Sequence, residues 1–237
     1  GIDVIDVFPS LLTSPEAVLS RRQKELGVVC VDIGSSCTGL AVYEEGVLRH
    51  ACIIPVGGEY VTSDIALGVR VSVDIAEKLK TDYVDLTFCD LAKPKDEEIV
   101  LSRIDKKETE TVSKLYLSQI AQARYKEILS LVNTELKRLG RDGMLPEGAV
   151  FVGGGSKARN LIDLAKSELR LPCAIGFPED QEFVTGTSVS DPGFAGAIGA
   201  LLLSQRSGGL GRARMSIGAG IGGIKESAKK FFKFLLP

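Results

Sequence analysis

Apolar and polar positions along this chain follow two periods, and the changes between them mark out its elements. Gly27-Val-Val-Cys-Val-Asp-Ile-Gly34 is a short, β-branched, nearly continuous apolar run, the pattern of a buried strand. Residues 39–43 and 47–55 predict two further strands, joined by a hairpin at Glu44-Glu45-Gly46. Ahead of them, residues 8–24 predict a helix with Ser14-Pro15 at its start, stopped by Gly27. Thr62 predicts the cap of a short helix ending at Gly68, and Ser72 the cap of another over 73–81. The stretch 83–105 is mixed and extended, broken by Pro94. From Glu108 to Leu139, the spacing of Leu117, Ala121, Ile128, Val132 and Leu136 predicts a long amphipathic helix. A strand at 150–152 runs into Gly153-Gly154-Gly155, followed by a helix over 157–169, a strand at 173–176 and a helix over 193–204. Strands alternating with helices through glycine turns predict α/β layers.

Past residue 205 the pattern changes. Residues 205–223 hold seven glycines, two serines and three arginines and show no apolar period, which predicts a flexible linker. The last fourteen residues, 224–237, are periodic again. On a helical projection Ile224, Ala228, Phe231, Phe232 and Leu235 fall within about 100° of arc, with Lys229, Lys230 and Lys233 opposite. Phe234 and Leu236 add to the apolar content of this Phe/Leu-rich end. Too short to span a bilayer, the segment predicts an amphipathic helix lying on an anionic membrane surface. A terminal helix packed on its own domain is the alternative.

Composition narrows the chemistry. A 237-residue chain can bury a substantial core, and 44% apolar with 25% charged residues is ordinary globular usage. A net charge of −2 argues against nucleic acid as a partner. Cys30, Cys37, Cys52, Cys89 and Cys173 contain no C-x-x-C pair and predict reduced thiols in a cytoplasmic protein. His50 is the only histidine, so histidine triads and His-rich metal sites are set aside. The chain opens with glycine and carries no leader pattern, which predicts a fragment or processed piece.

Three segments carry candidate chemistry. Asp32-Ile-Gly-Ser-Ser-Cys-Thr-Gly39 joins two strands, where successive backbone N–H groups can form an anion-binding concavity. Gly34 permits close approach, Ser35, Ser36 and Thr38 can add hydroxyl donors, and Cys37 lies in the same turn. Asp32 could hold Mg²⁺ through water. Gly153-Gly154-Gly155-Ser156 between a strand and a helix offers bare backbone to a base and a phosphate. Glu77 and Lys80, at i and i+3, share a helix face and could grip ribose hydroxyls. Taken singly, each has an ordinary alternative: a small-residue hairpin, a tight turn, a surface ion pair. Gly218-Ala-Gly220-Ile-Gly-Gly223 satisfies G-x-G-x-x-G but follows no strand and is set aside.

In order, D-x-G, G-G, A-E-x-x-K, a long helix, V-x-V-G-G-G-S and D-P-x-F-A-x-A-x-G are similar to the second lobe of the actin/Hsp70/sugar-kinase superfamily, over about residues 27–200. Leu48-Arg-His50, Ile54-Pro-Val-Gly-Gly58, Thr62-Ser-Asp-Ile65 and Ala76-Glu-Lys-Leu-Lys80 resemble the FtsA family in particular. The resemblance implies an actin-like (ribonuclease H-like) lobe over 27–205, entered by a connecting region 1–26, with a small outer α+β subdomain at about 60–108. It implies ATP and Mg²⁺ as cofactors, with Asp32 catalytic and Mg²⁺-holding and 34–38 at the phosphates. Residues 153–156 would lie at the adenosine, and Glu77 and Lys80 at the ribose. It further implies self-association into actin-like polymers and Arg124 as a contact for the FtsZ C-terminal tail. The place it implies is the cytoplasmic face of the membrane at the division site. Ser35, Ser36 and Gly39 depart from the usual glycine run and second aspartate, which implies slow hydrolysis at most. The first phosphate motif would lie outside this chain, which implies weak ATP binding by the chain alone. A PilM-like pilus assembly protein and a sugar kinase or metabolic ATPase of the same superfamily are the rival readings.

Overall fold

The computed structural model describes residues 4, 7–90, 96–106, 109–178 and 190–208. The expected first helix is two: α1 (Ser10–Val18) and α2 (Arg21–Leu26). They separate because Ser20 is extended and caps α2, with its Oγ accepting from Gln23 N–H and Gln23 accepting in return from Ser20 N–H. Pro15 lies inside α1 rather than at its start. β1 (Val28–Ile33), β2 (Thr38–Glu44) and β3 (Val47–Ile54) follow as expected from their apolar runs. α3 (Gly58–Val69) begins at the Gly57-Gly58 pair, so Thr62 is an interior, buried residue rather than a cap. α4 (Val73–Tyr83) starts from the Ser72 cap.

β4 (Glu98–Val100) and β5 (Thr111–Ser113) form a small antiparallel pair, which delays the long helix to α5 (Lys114–Arg138). Ser113 caps it, and Leu117, Ala121, Ile128, Val132 and Leu136 form its buried stripe. β6 (Ala149–Val152) leads into a 3₁₀ turn, Gly154–Lys157, before α6 (Leu161–Leu169). The helix expected from 157 starts later because Asn160 takes a left-handed conformation. β7 (Cys173–Ile175) and α7 (Ala195–Gly208) complete the described elements. Residues 205–208 of the expected linker are therefore helical, while 209–223 and the 224–237 segment lie outside the described residues.

The sheet order is β3-β2-β1-β6-β7. β1 pairs antiparallel with β2 and β2 with β3, while β1–β6 and β6–β7 are parallel. Alternate residues feed two cores, as the two-residue period of a strand requires. Val29, Val31, Ile33, Leu40, Val42 and Phe151 join a large core with α3, α4, α5 and α6. Val28, Cys30, Ala41, Tyr43, Val150 and Val152 join a smaller one on the opposite face with Leu19 and Ala195. Layers on both faces explain why β1 reads as an apolar run broken only at Asp32.

The β1–β6 register decides where the site forms. Asp32 pairs with Val152, the last residue of β6, so the two strands end within one residue of each other. The loops that leave them, 34–37 and 153–157, emerge side by side at the carboxyl edge of the parallel strands, where open α/β sheets bind ligands. Contacts within the chain separate Gly1–Leu203 from Ser204–Pro237, and the packing above is that of the first unit.

Candidate functional site

The loop after β1 is stitched to the start of α3. Gly34 N–H donates to Cys37 O at 3.0 Å, Gly58 N–H to Gly34 O at 2.9 Å and Glu59 N–H to Ser35 O at 2.9 Å. A Cβ on Gly57 would lie 2.4 Å from Ser35 O and 2.7 Å from Gly34 O, so only glycine lets the two segments meet. Ser35 and Ser36 hydroxyls each donate to Glu59 Oε2 at 3.2 Å. Cys37 is exposed. Thr38 is buried and its hydroxyl donates to Val56 O at 2.8 Å, so it fixes the loop base and offers nothing to a ligand. Asp32, half-buried at the end of β1, accepts from Ser14 Oγ at 2.7 Å.

The loop after β6 is shaped by close packing on β1 as well as by hydrogen bonds. Gly153 has φ +84°, and a Cβ there would sit 2.4 Å from Asp32 Oδ1 and 2.5 Å from Ile33 O. A Cβ on Gly155 would sit 2.3 Å from Ile33 Cγ2, whereas one on Gly154 would meet nothing within 4 Å. Gly153 and Gly155 thus serve the close packing on β1, and Gly154 leaves open space. Ser156 is buried with its hydroxyl on Gly153 O at 2.7 Å, a brace within the turn. From α5, Tyr125 donates its phenol to Gly155 O at 2.9 Å, and burial raises the pKa of that phenol.

α4 brings the third motif to the same place. Lys80 Nζ lies 2.6 Å from Glu77 Oε2 and donates to Thr62 Oγ1 at 2.8 Å and Gly58 O at 3.2 Å. Thr62 donates to Glu77 Oε2 at 2.5 Å. Burial works against the Glu77 carboxylate, but the hydrogen bonds from Lys80 and Thr62 and the lysine charge outweigh it and lower its pKa. The cluster ties α4 to the glycine-rich start of α3.

Gly34, Ser35, Glu77, Lys80, Gly154 and Gly155 all line one cleft of about 450 Å³. Tyr125, Gly58, Glu59 and Lys157 also line it and were missed by sequence reasoning. A signal existed for Tyr125: an aromatic hydroxyl on a buried helical stripe needs a partner. Lys157 pairs with Asp191, whose pKa is lowered by that hydrogen bond and by Gly193 N–H. Arg124 is elsewhere. From α5 it grips Asp64 of α3 through Nε at 2.6 Å and Nη2 at 2.9 Å, and its guanidinium lies over the Tyr60 ring. Ile224, Lys229, Lys230, Phe231, Phe232, Lys233, Phe234, Leu235 and Leu236 lie outside the described residues, as does 218–223. Among the described residues no helix is long and apolar enough to cross a membrane.

Comparison with known proteins gives a consistent pattern. Residues 29–199 match the family model described as cell division protein FtsA. The chain is 34% identical over 214 residues to cell division protein FtsA of Pseudomonas aeruginosa, covering 89% of this chain and 50% of that protein. Identity to the Escherichia coli K12 protein of the same description is 30% over 218 residues, covering 87% and 50%. The chain therefore spans about half the length of these relatives. Among solved structures it is similar to MreB 5 of Spiroplasma citri bound to AMPPNP, with a TM-score of 0.68 at 18% identity, covering 88% of this chain and 62% of that one. It is also similar to a PilM–PilN type IV pilus biogenesis complex, with a TM-score of 0.58 at 19% identity, covering 84% and 52%. At these identities the structural likeness establishes an actin-like ATPase fold and no more.

Proposed function

The chain belongs to the FtsA family of cell-division proteins, and from that premise we propose that it is the nucleotide-cradling lobe of an ATP-binding scaffold of the division ring. One observation carries the reading: the loops after β1 and β6, with Glu77 and Lys80, share a single cleft. Among the described residues the Ser35 and Ser36 N–H groups have no backbone acceptor, which suits them to phosphate oxygens. Gly154 presents bare backbone to the base, and Glu77 with Lys80 takes the ribose hydroxyls. Asp32 lies where both loops meet, with one oxygen held by Ser14, and fits an outer-sphere Mg²⁺ that would neutralise phosphate charge. Glycine at position 39 in place of a second carboxylate supports slow hydrolysis at most.

The remaining roles follow from the family. Domain closure around ATP favours self-association, Arg124 contacts the FtsZ tail, and residues 224–237 hold the assembly to the cytoplasmic face of the membrane. The Arg124–Asp64 pair means a partner carboxylate would compete with an intramolecular one. Neither rival is favoured: the pilus protein shares only the fold at 19% identity, and a sugar kinase leaves the basic Phe/Leu segment without a role.

Ligand-observed NMR with ATP and Mg²⁺ on the whole chain tests the cleft. Saturation transfer to ATP is expected in the native chain and lost in Gly154→Val, with an unchanged melting temperature. Transfer that survives this variant overturns the site. Liposome flotation of 1–237 against 1–222 tests the anchor separately, and equal flotation removes it.

A further inference from the structure

At the edge of the sheet, β3 and α5 bring the chain's one histidine together with a cysteine and a glutamate. His50 and Cys52 are two residues apart on β3 and so leave the same face of this edge strand. Glu135, near the end of α5, meets them, and the three ligand-capable atoms lie within 4.8 Å of one another. His50 Nε2 is 3.6 Å from Glu135 Oε2, beyond hydrogen-bond length. It is sealed from solvent and has no hydrogen-bond partner. A buried nitrogen left in that condition calls for an explanation. Arg138 Nη1 donates to the other carboxylate oxygen, Glu135 Oε1, at 2.6 Å, which leaves Oε2 turned to the histidine.

We propose that His50 Nε2, Cys52 Sγ and Glu135 Oε2 form a three-ligand, zinc-type metal site. Zinc bonds of about 2.0–2.3 Å in tetrahedral array put ligand atoms about 3.3–3.8 Å apart. The His50–Glu135 pair already stands at that spacing, and the sulfur needs to close by about 1.3 Å at most, within reach of a side-chain adjustment. A nitrogen, a sulfur and a single carboxylate suit Zn²⁺ or Co²⁺ and do not suit Mg²⁺ or Ca²⁺, which prefer oxygen. Arg138 acts as the outer partner that holds the carboxylate ligand. None of the three ligands lines the nucleotide cleft, so the site stands independently of the reading above. A bound ion would clamp the exposed edge strand β3 to the helix beneath it.

The test uses the whole chain, stripped with chelator and reloaded with Co²⁺ or Zn²⁺ alone. One metal per chain is expected, with a thiolate-to-cobalt charge-transfer band that Cys52→Ser removes and Cys89→Ser leaves. His50→Ala and Glu135→Gln should each weaken Zn²⁺ affinity more than about tenfold, and Arg138→Ala, whose side chain is mostly exposed, less than about fivefold. Circular dichroism checks that each variant is folded. Should Cys52→Ser unfold, alkylation of the native chain decides: Zn²⁺ must slow labelling of Cys52 and not of Cys89. Absence of the band in the native chain, its survival in folded Cys52→Ser, or equal labelling with and without Zn²⁺ overturns the site.

Discussion

The two loops that face each other across the cleft leave neighbouring parallel strands at the same end, yet they differ in how much room they leave for side chains. Residues 153–155 lack side chains, because the backbone lies against Asp32 and Ile33 with no room for a Cβ at 153 or 155. Residues 34–37 carry side chains and keep their shape through partners: α3 N–H groups take the loop carbonyls, and Glu59 takes both serine hydroxyls. A loop defined by sterics fails abruptly when an atom is added. A loop defined by partners fails by degrees, and at a distance from itself.

The largest effect is expected at Gly153→Ala, where a positive φ and backbone contacts combine to cost about 2–3 kcal/mol. Gly154→Ala, one residue away, should cost under about 1 kcal/mol because its Cβ enters open space. Urea unfolding separates them, and equal midpoints would break the steric account of this loop. Gly57→Ala comes next, at about 1–3 kcal/mol, because its Cβ pushes against the carbonyls of Gly34 and Ser35. It should also weaken ATP binding although Gly57 does not line the cleft, which isothermal titration can read. Tyr125→Phe removes the hydrogen bond to Gly155 O and should cost about 1 kcal/mol by thermal melting. Smallest is the pH effect of Glu77. Its pKa is lowered on folding from an ordinary 4.5, so it stabilises above that value and loses the contribution as pH falls through the folded-state pKa. With half of the side chain exposed this amounts to under about 1 kcal/mol. The stability difference between the native chain and Glu77→Gln should therefore be present at neutral pH and vanish in acid.

These loops also show how far the chain could be read unaided. Strands β1 to β3 and α4 were legible because apolar period and the Ser72 cap are local signals. The start of α3 was not, because the hydrogen bond from Gly58 N–H to Gly34 O comes from a segment far away in sequence. The same holds for α5, whose first expected residues pair as β5 with β4. Thr38 looked like a hydroxyl donor to a ligand and Ser156 like part of a ligand-facing turn, but their hydroxyls are used on Val56 O and Gly153 O. A hydroxyl in a glycine-rich turn carries no mark of whether it faces a ligand or its own backbone.

By itself the sequence determined most of the strands and helices of the main sheet and its layers, which glycines and carboxylates were worth attention, and the family whose motifs they spell. Those are properties of local spacing and residue type. Only tertiary structure decided that Asp32 and Val152 pair, so that two loops form one cleft, and that His50, Cys52 and Glu135 meet across a strand and a helix. Register and helix placement are set by packing between distant segments, and no short window of sequence contains them.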